Sequence, residues 1–149
     1  ILAQLERRAE HVRSNILTPV EDAIADHQDV PLGEHIDAYI GHLESKGTTA
    51  DYRKTTERYL KRLAEDCSFS WLSDLDRTAL ERWLSDQTRR GRSARSRNAY
   101  RNAAVAFCNW CIGSRRLAIS PFAGAPKARE KADPRRQHRA LTEEELVKL

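Results

Sequence analysis

The 149-residue sequence predicts an all-α fold: a small four-helix bundle, with a helical extension before it and the opening of another helix behind it. Three observations carry this. Apolar residues recur at spacings of three and four along most of the chain, while the two-residue alternation of strands is nearly absent. Each periodic run is bracketed by its own signals, a Thr, Ser or Asp in front and a Gly or a polar break behind. The length suits one domain with a real core and an appendage at either end.

Leu2, Leu5, Ala9, Val12 and Ile16 follow one another at 3-4-3-4 spacing, a narrow apolar stripe on an otherwise charged helix. Such a stripe needs a cover, and packing onto residues 32–112 and pairing with another protomer both stay open. Thr18-Pro19-Val20-Glu21 is a capping box with proline in the first helical position, so a short second helix runs to about His27. Gln28 to Pro31 is a break.

The bundle begins at Leu32. Ile36, Tyr39, Ile40 and Leu43 form the inward face of its first helix, and Gly47 ends it where a left-handed residue is cheapest. Thr48 or Thr49 caps the next, with Tyr52, Thr56, Tyr59, Leu60 and Leu63 inward until Cys67 to Ser70 interrupts. Asp76 caps the third, Leu75 and Leu80 staple its start, Trp83 and Leu84 continue its face, and Gly91 stops it. Ser93 caps the fourth, which runs to about Ile112 with Tyr100, Ala103, Ala104, Phe107, Cys108 and Cys111 in one apolar arc.

Ser114 to Pro121 reads as a turn and a short packed segment, with Leu117, Ile119 and Phe122 as anchors. Gly124 to Arg139, with two prolines and six Lys or Arg, reads as an extended basic linker. Thr142-Glu143-Glu144-Glu145 is a second capping box leading into Leu146 and Leu149. The expected organisation is an extension over 1–30, a bundle over 31–125, a linker over 126–140 and the start of a further domain over 141–149. The chain contains no Met and has both ends inside helical patterns, so it reads as a piece of a longer protein.

The net charge of +4 conceals a concentrated excess: residues 88–139 hold fourteen Lys or Arg against two Asp or Glu, a local +12. Six arginines fall within residues 88–101 alone. A helix start already favours an anion through its free N–H groups and dipole, so arginines crowded there make sense beside a bound polyanion, and guanidinium pairs well with phosphate. The expected partner is double-stranded DNA, and a merely solvated basic face is the alternative. The candidate contacts are Arg89, Arg90, Arg92, Ser93, Arg95, Ser96, Arg97, Asn98 and Arg101. Arg95, Asn98, Asn102 and Asn109 are expected on the face opposite the apolar arc. Asn98, Arg95 and Arg101 are of the types that read base edges. A smaller set at the second bundle helix is Thr49, Arg53, Lys54 and Arg58, and the linker adds Lys127, Arg129, Lys131, Arg135, Arg136 and Arg139.

Other chemistry is poorly represented. Cys108-Asn109-Trp110-Cys111 has the spacing of a metal or redox pair, but no second pair of ligands follows and both sulfurs fall on the inward arc, so packing is expected. The five histidines show no metal spacing, and there is no Gly-rich phosphate loop. No metal, cofactor or small-molecule substrate is expected. No run reaches the roughly 18 apolar residues of a spanning helix, and no signal peptide opens the chain, so a soluble cytoplasmic, nucleoid-associated protein is expected.

The ordered series KGTTADYRKTTERYLKRL, WLSDLDRTALERWLSDQTRRGRS, SARSRNAYRNAAVAFCNWC and SRRLAISPF, followed by RALTEEELVKL, resembles the N-terminal core-binding domain of the tyrosine recombinase or phage integrase family over about residues 32–149. That resemblance implies one half of a C-shaped clamp closing on duplex DNA at the crossover site, with the starts of the second and fourth bundle helices facing the DNA. It also implies self-association of the full-length recombinase on DNA. The family's catalytic arginines, His-x-x-Arg element and nucleophilic tyrosine belong to the domain that would follow Leu149; the chain has no His-x-x-Arg, and Tyr39, Tyr52, Tyr59 and Tyr100 fall on packing faces. It is therefore expected to bind and not to cut. A helix-turn-helix regulator and a helical protein-interaction module are the alternatives, the first disfavoured by the lack of two short helices joined by a tight turn.

Overall fold

The computed structural model describes residues 2–13 and 18–132, with the backbone alone for residues 9–13 and 132. Among these residues there are six α-helices and no strand: α1 (Leu2–Arg13), α2 (Pro19–Asp26), α3 (Leu32–Ser45), α4 (Ala50–Asp66), α5 (Arg77–Arg89) and α6 (Ala94–Gly113). Single 3-10 turns lie at Leu72–Asp74 and Glu130–Ala132. The fold is all-α.

Helix starts follow local chemistry. Thr18, Thr49, Asp76 and Ser93 each accept a hydrogen bond from the backbone N–H three residues on, and Glu21 completes the capping box by accepting from the Thr18 N–H. Gly47 and Gly91 stand at φ of 80° and 84° just after α3 and α5, a conformation that costs a glycine little. Ile16 and the box at Thr142–Glu145, with Leu146 and Leu149, lie outside the described residues, as do the side chains of Ala9 and Val12.

Helices α3, α4, α5 and α6 surround one core, in which α4 and α6 are the central pair. Leu80, Cys108 and Cys111 are fully buried, joined by Ile36, Tyr39, Leu60, Leu63 and Phe107. Burial of each such side chain contributes about 1.5–3 kcal/mol. Tyr100 is an aromatic keystone, its ring 4.3 Å from Tyr59 of α4 and 4.9 Å from Trp83 of α5. Trp83 also donates its indole N–H to Asp66 at 2.8 Å, which ties the end of α4 to α5.

Two expected core positions are corrected. Tyr52, in the first turn of α4, is half exposed; Ile119 is 78% exposed, leaving Leu117 and the buried Phe122 to anchor the segment after α6. Arg8 of α1 bonds Asp22 and Asp26 of α2, while Leu2 and Leu5 remain exposed.

Candidate nucleic-acid interface

The chain enters α6 through a tight corner. Arg90 closes α5, Gly91 turns the backbone, and Ser93 caps α6. Within this corner the arginines divide into two kinds, which sequence periodicity does not separate.

The first kind is engaged inward. Arg92 donates through Nε to Gln87 Oε1 at 2.8 Å and through Nη1 to the Tyr100 hydroxyl at 3.3 Å, with its guanidinium 5.1 Å above the Tyr100 ring. Gln87 is buried, so this bond satisfies an acceptor that water does not reach. Arg101 places both Nε and Nη2 on the Ala125 carbonyl, at 3.1 and 2.9 Å. Arg53 donates to the Thr48 carbonyl at the start of α4. Arg97 is partly engaged, its Nε 3.3 Å from the Arg92 carbonyl.

The second kind faces out. Arg90, Arg95, Lys127 and Arg129 are exposed and their side chains make no hydrogen bond or ion pair among the described residues, and the same holds for Lys54 on α4. Arg89 pairs with Asp86 at 3.4 Å. Lys131 is exposed, and Ser96 is half-buried beside the Ser93 cap. Elsewhere Arg8, Lys61, Arg62 and Arg77 have carboxylate partners, while Arg7, Lys46 and Arg82 are exposed and form no ion pair among the described residues. From residue 90 to residue 129 no arginine forms an ion pair among the described residues.

Asn98 is a correction. Expected on the outer face, it is 2% exposed, and its amide makes two 2.8 Å hydrogen bonds with one residue: Nδ2 donates to the Ala128 carbonyl and Oδ1 accepts the Ala128 N–H. With both functions occupied and the side chain buried, it has no group left for a base edge. The cause is a cover that the helix alone does not reveal. After Phe122 the chain folds back along α6, so its first residues are docked where an extended linker was expected. Arg77 Nη1 reaches the Ala123 carbonyl at 3.3 Å, Arg101 holds Ala125, and Asn98 holds Ala128. The one sequence signal was the 4-3-4 run Ala94, Asn98, Arg101, Val105, a second stripe with two polar members.

This docking leaves an open groove of about 350 Å³ between α5, the start of α6 and residues 126–128. Arg97 and Lys127 line it together with Ser85, Thr88 and Glu81. The α4 set stands apart: no hydrogen bond or ion pair joins Thr49, Arg53 or Lys54 to the α6 corner among the described residues. The link is Tyr59 on Tyr100, with the Arg58 guanidinium 5.5 Å over the Tyr59 ring. Arg135, Arg136 and Arg139 lie outside the described residues.

The cysteines are packing residues. Burial pushes the Cys108 thiol well up and the Cys111 thiol up to about 12, far from the thiolate form that metals and redox partners require. Among the described residues no group of three His, Cys, Asp or Glu is placed to hold a metal ion, and no helix is long and apolar enough to cross a membrane. Buried His35 accepts from Arg116 Nη1 at Nδ1, 2.9 Å, with Arg116 stacked 4.7 Å over Trp110. No protein-family model, no curated protein and no solved structure matches the chain.

Proposed function

We propose that the chain binds duplex DNA through the corner that starts α6 and the cationic segment that follows it, as the non-catalytic, core-binding part of a tyrosine-recombinase-type clamp built on a four-helix bundle. One observation carries the reading. Arg90, Arg95, Lys127 and Arg129 stand exposed without a carboxylate partner among the described residues, around a helix N-terminus that itself favours an anion and within a stretch, residues 90–129, that contains no Asp or Glu. Unneutralised guanidinium and ammonium groups so arranged gain most from a phosphate backbone, whose counterions they release. In this role Arg92, Arg101 and Arg53 build the platform, and the outward cations make the contacts.

The test is fluorescence anisotropy of the full chain on a duplex at several salt concentrations. Neutralising four phosphates gives a log-log slope of about −3 to −4, at about −0.9 per phosphate. Changing Arg95 and Arg97 together to Ala should make the slope shallower by about 1 to 2 while leaving the thermal unfolding curve in place. Affinity without salt dependence, or none, would favour an interaction module whose basic face is incidental. Tight, strongly sequence-selective binding by the chain alone would favour a regulator.

A further inference from the structure

We propose that Asn98 is a positioning residue of this interface: it latches residues 123–128 against α6, and so sets Lys127 and Arg129 beside Arg97 in register for consecutive phosphates. This rests on the DNA-binding reading. The geometry is specific. A single buried amide satisfies both backbone groups of Ala128 at 2.8 Å, a two-point clamp that a hydroxyl or an alkyl side chain does not reproduce. Arg101 and Arg77 fasten Ala125 and Ala123 in the same way, by donating to carbonyl oxygens, and Phe122 and Ala125 are buried beneath them. Gly124 lets the segment pass close to Arg77: at φ 76°, an added Cβ would lie 2.9 Å from the Arg77 guanidinium.

Each clamp holds backbone, so the Lys127 and Arg129 side chains stay outward. Lys127 lies next to the clamped Ala128, lines the same groove as Arg97, and remains exposed. Freed from the latch, Lys127 and Arg129 would ride on a flexible tether, and ordering them at each binding event would cost backbone entropy for every residue fixed. A docked segment has already met that cost. The latch thus couples the direction in which the chain leaves the helices to the strength of phosphate binding.

A coupling cycle tests this, using Asn98→Ala, the pair Lys127→Ala and Arg129→Ala, and all three together, each in the full chain. Asn98→Ala should make trypsin cleavage after Lys127 and Arg129 at least tenfold faster and weaken DNA binding about tenfold at low salt. In the background lacking both cations, the same change should have little further effect, because Asn98 acts through them. An equal loss in both backgrounds would overturn the positioning role and leave the DNA reading standing. Unchanged trypsin sensitivity would overturn the latch itself. Absence of salt-dependent binding by the unmodified chain would remove the DNA reading and the positioning role with it, whatever the proteolysis shows. Should Asn98→Ala fail to fold, Ala128→Pro deletes the N–H that Asn98 accepts, from the segment side, and takes its place in the cycle, with cleavage after Arg129 alone as the proteolysis readout because trypsin does not cut a Lys–Pro bond.

Discussion

Replacing Arg92 with alanine should destabilise the protein, whereas replacing Arg95, three residues away on the same basic run, should not. Among the described residues Arg92 is the only partner of the buried Gln87 side-chain carbonyl, and leaving a buried acceptor unpaired costs about 1–3 kcal/mol. The guanidinium over Tyr100, half shielded by the corner, adds about 0.5–1 kcal/mol. The expected loss is therefore about 2–3 kcal/mol. In urea that is a midpoint lowered by about 1–2 M at ordinary denaturant sensitivity, and in a thermal melt a drop of about 4–12 °C. Arg95 is exposed with no partner among the described residues, so Arg95→Ala should stay within about 0.5 kcal/mol of the unmodified chain. Its effect should appear in the salt dependence of DNA binding. Far-UV circular dichroism in urea reads the first quantity and anisotropy reads the second. Equal urea midpoints for the two variants would refute the division of the arginines into platform and contact groups.

Two further outcomes follow from buried titratable groups. Burial, followed by the Arg116 charge, holds His35 below the usual histidine value, so the unfolded chain binds its proton more readily than the folded one. Stability should therefore be full above about pH 6.5 and fall as pH drops below that toward the depressed value. His35→Gln should be less stable at neutral pH and lose less between pH 7.5 and 5.5; a variant melting in parallel with the unmodified chain would exclude His35 as the group responsible. For the thiols, Cys108 and Cys111 are fully buried and Cys67, half-buried, is pushed up to about 11. A chromogenic disulfide reagent at pH 8 should react slowly with the native protein and rapidly with three thiols in denaturant. A fast native phase of two thiols would show that the Cys108–Cys111 pair is accessible after all.

Helix limits in this chain were written in short-range chemistry. Thr49, Asp76 and Ser93 each bond a backbone N–H three residues away, and the glycines that end α3 and α5 act on their own φ angle. These interactions are complete within one turn, so residue order alone specifies them, along with the inward arc from Tyr100 to Cys111. Tyr52 and Ile119 belong to the other category, since whether an apolar side chain is covered depends on what distant parts of the chain pack against it.

The candidate interface divides along the same line. That positive charge crowds the start of α6 is a property of the sequence. Which of those cations remain available is a property of the tertiary structure, because the partners of Asn98 and Arg101 lie thirty and twenty-four residues further along the chain. A helical wheel assigns Asn98 to solvent on the assumption that only one face is covered. The returning segment covers a second face, and a buried amide must then find partners, which Ala128 supplies. Residue order determined the helices and the sign of their charge; the path of the backbone after Phe122 decided which side chains hold the protein together and which are left to hold something else.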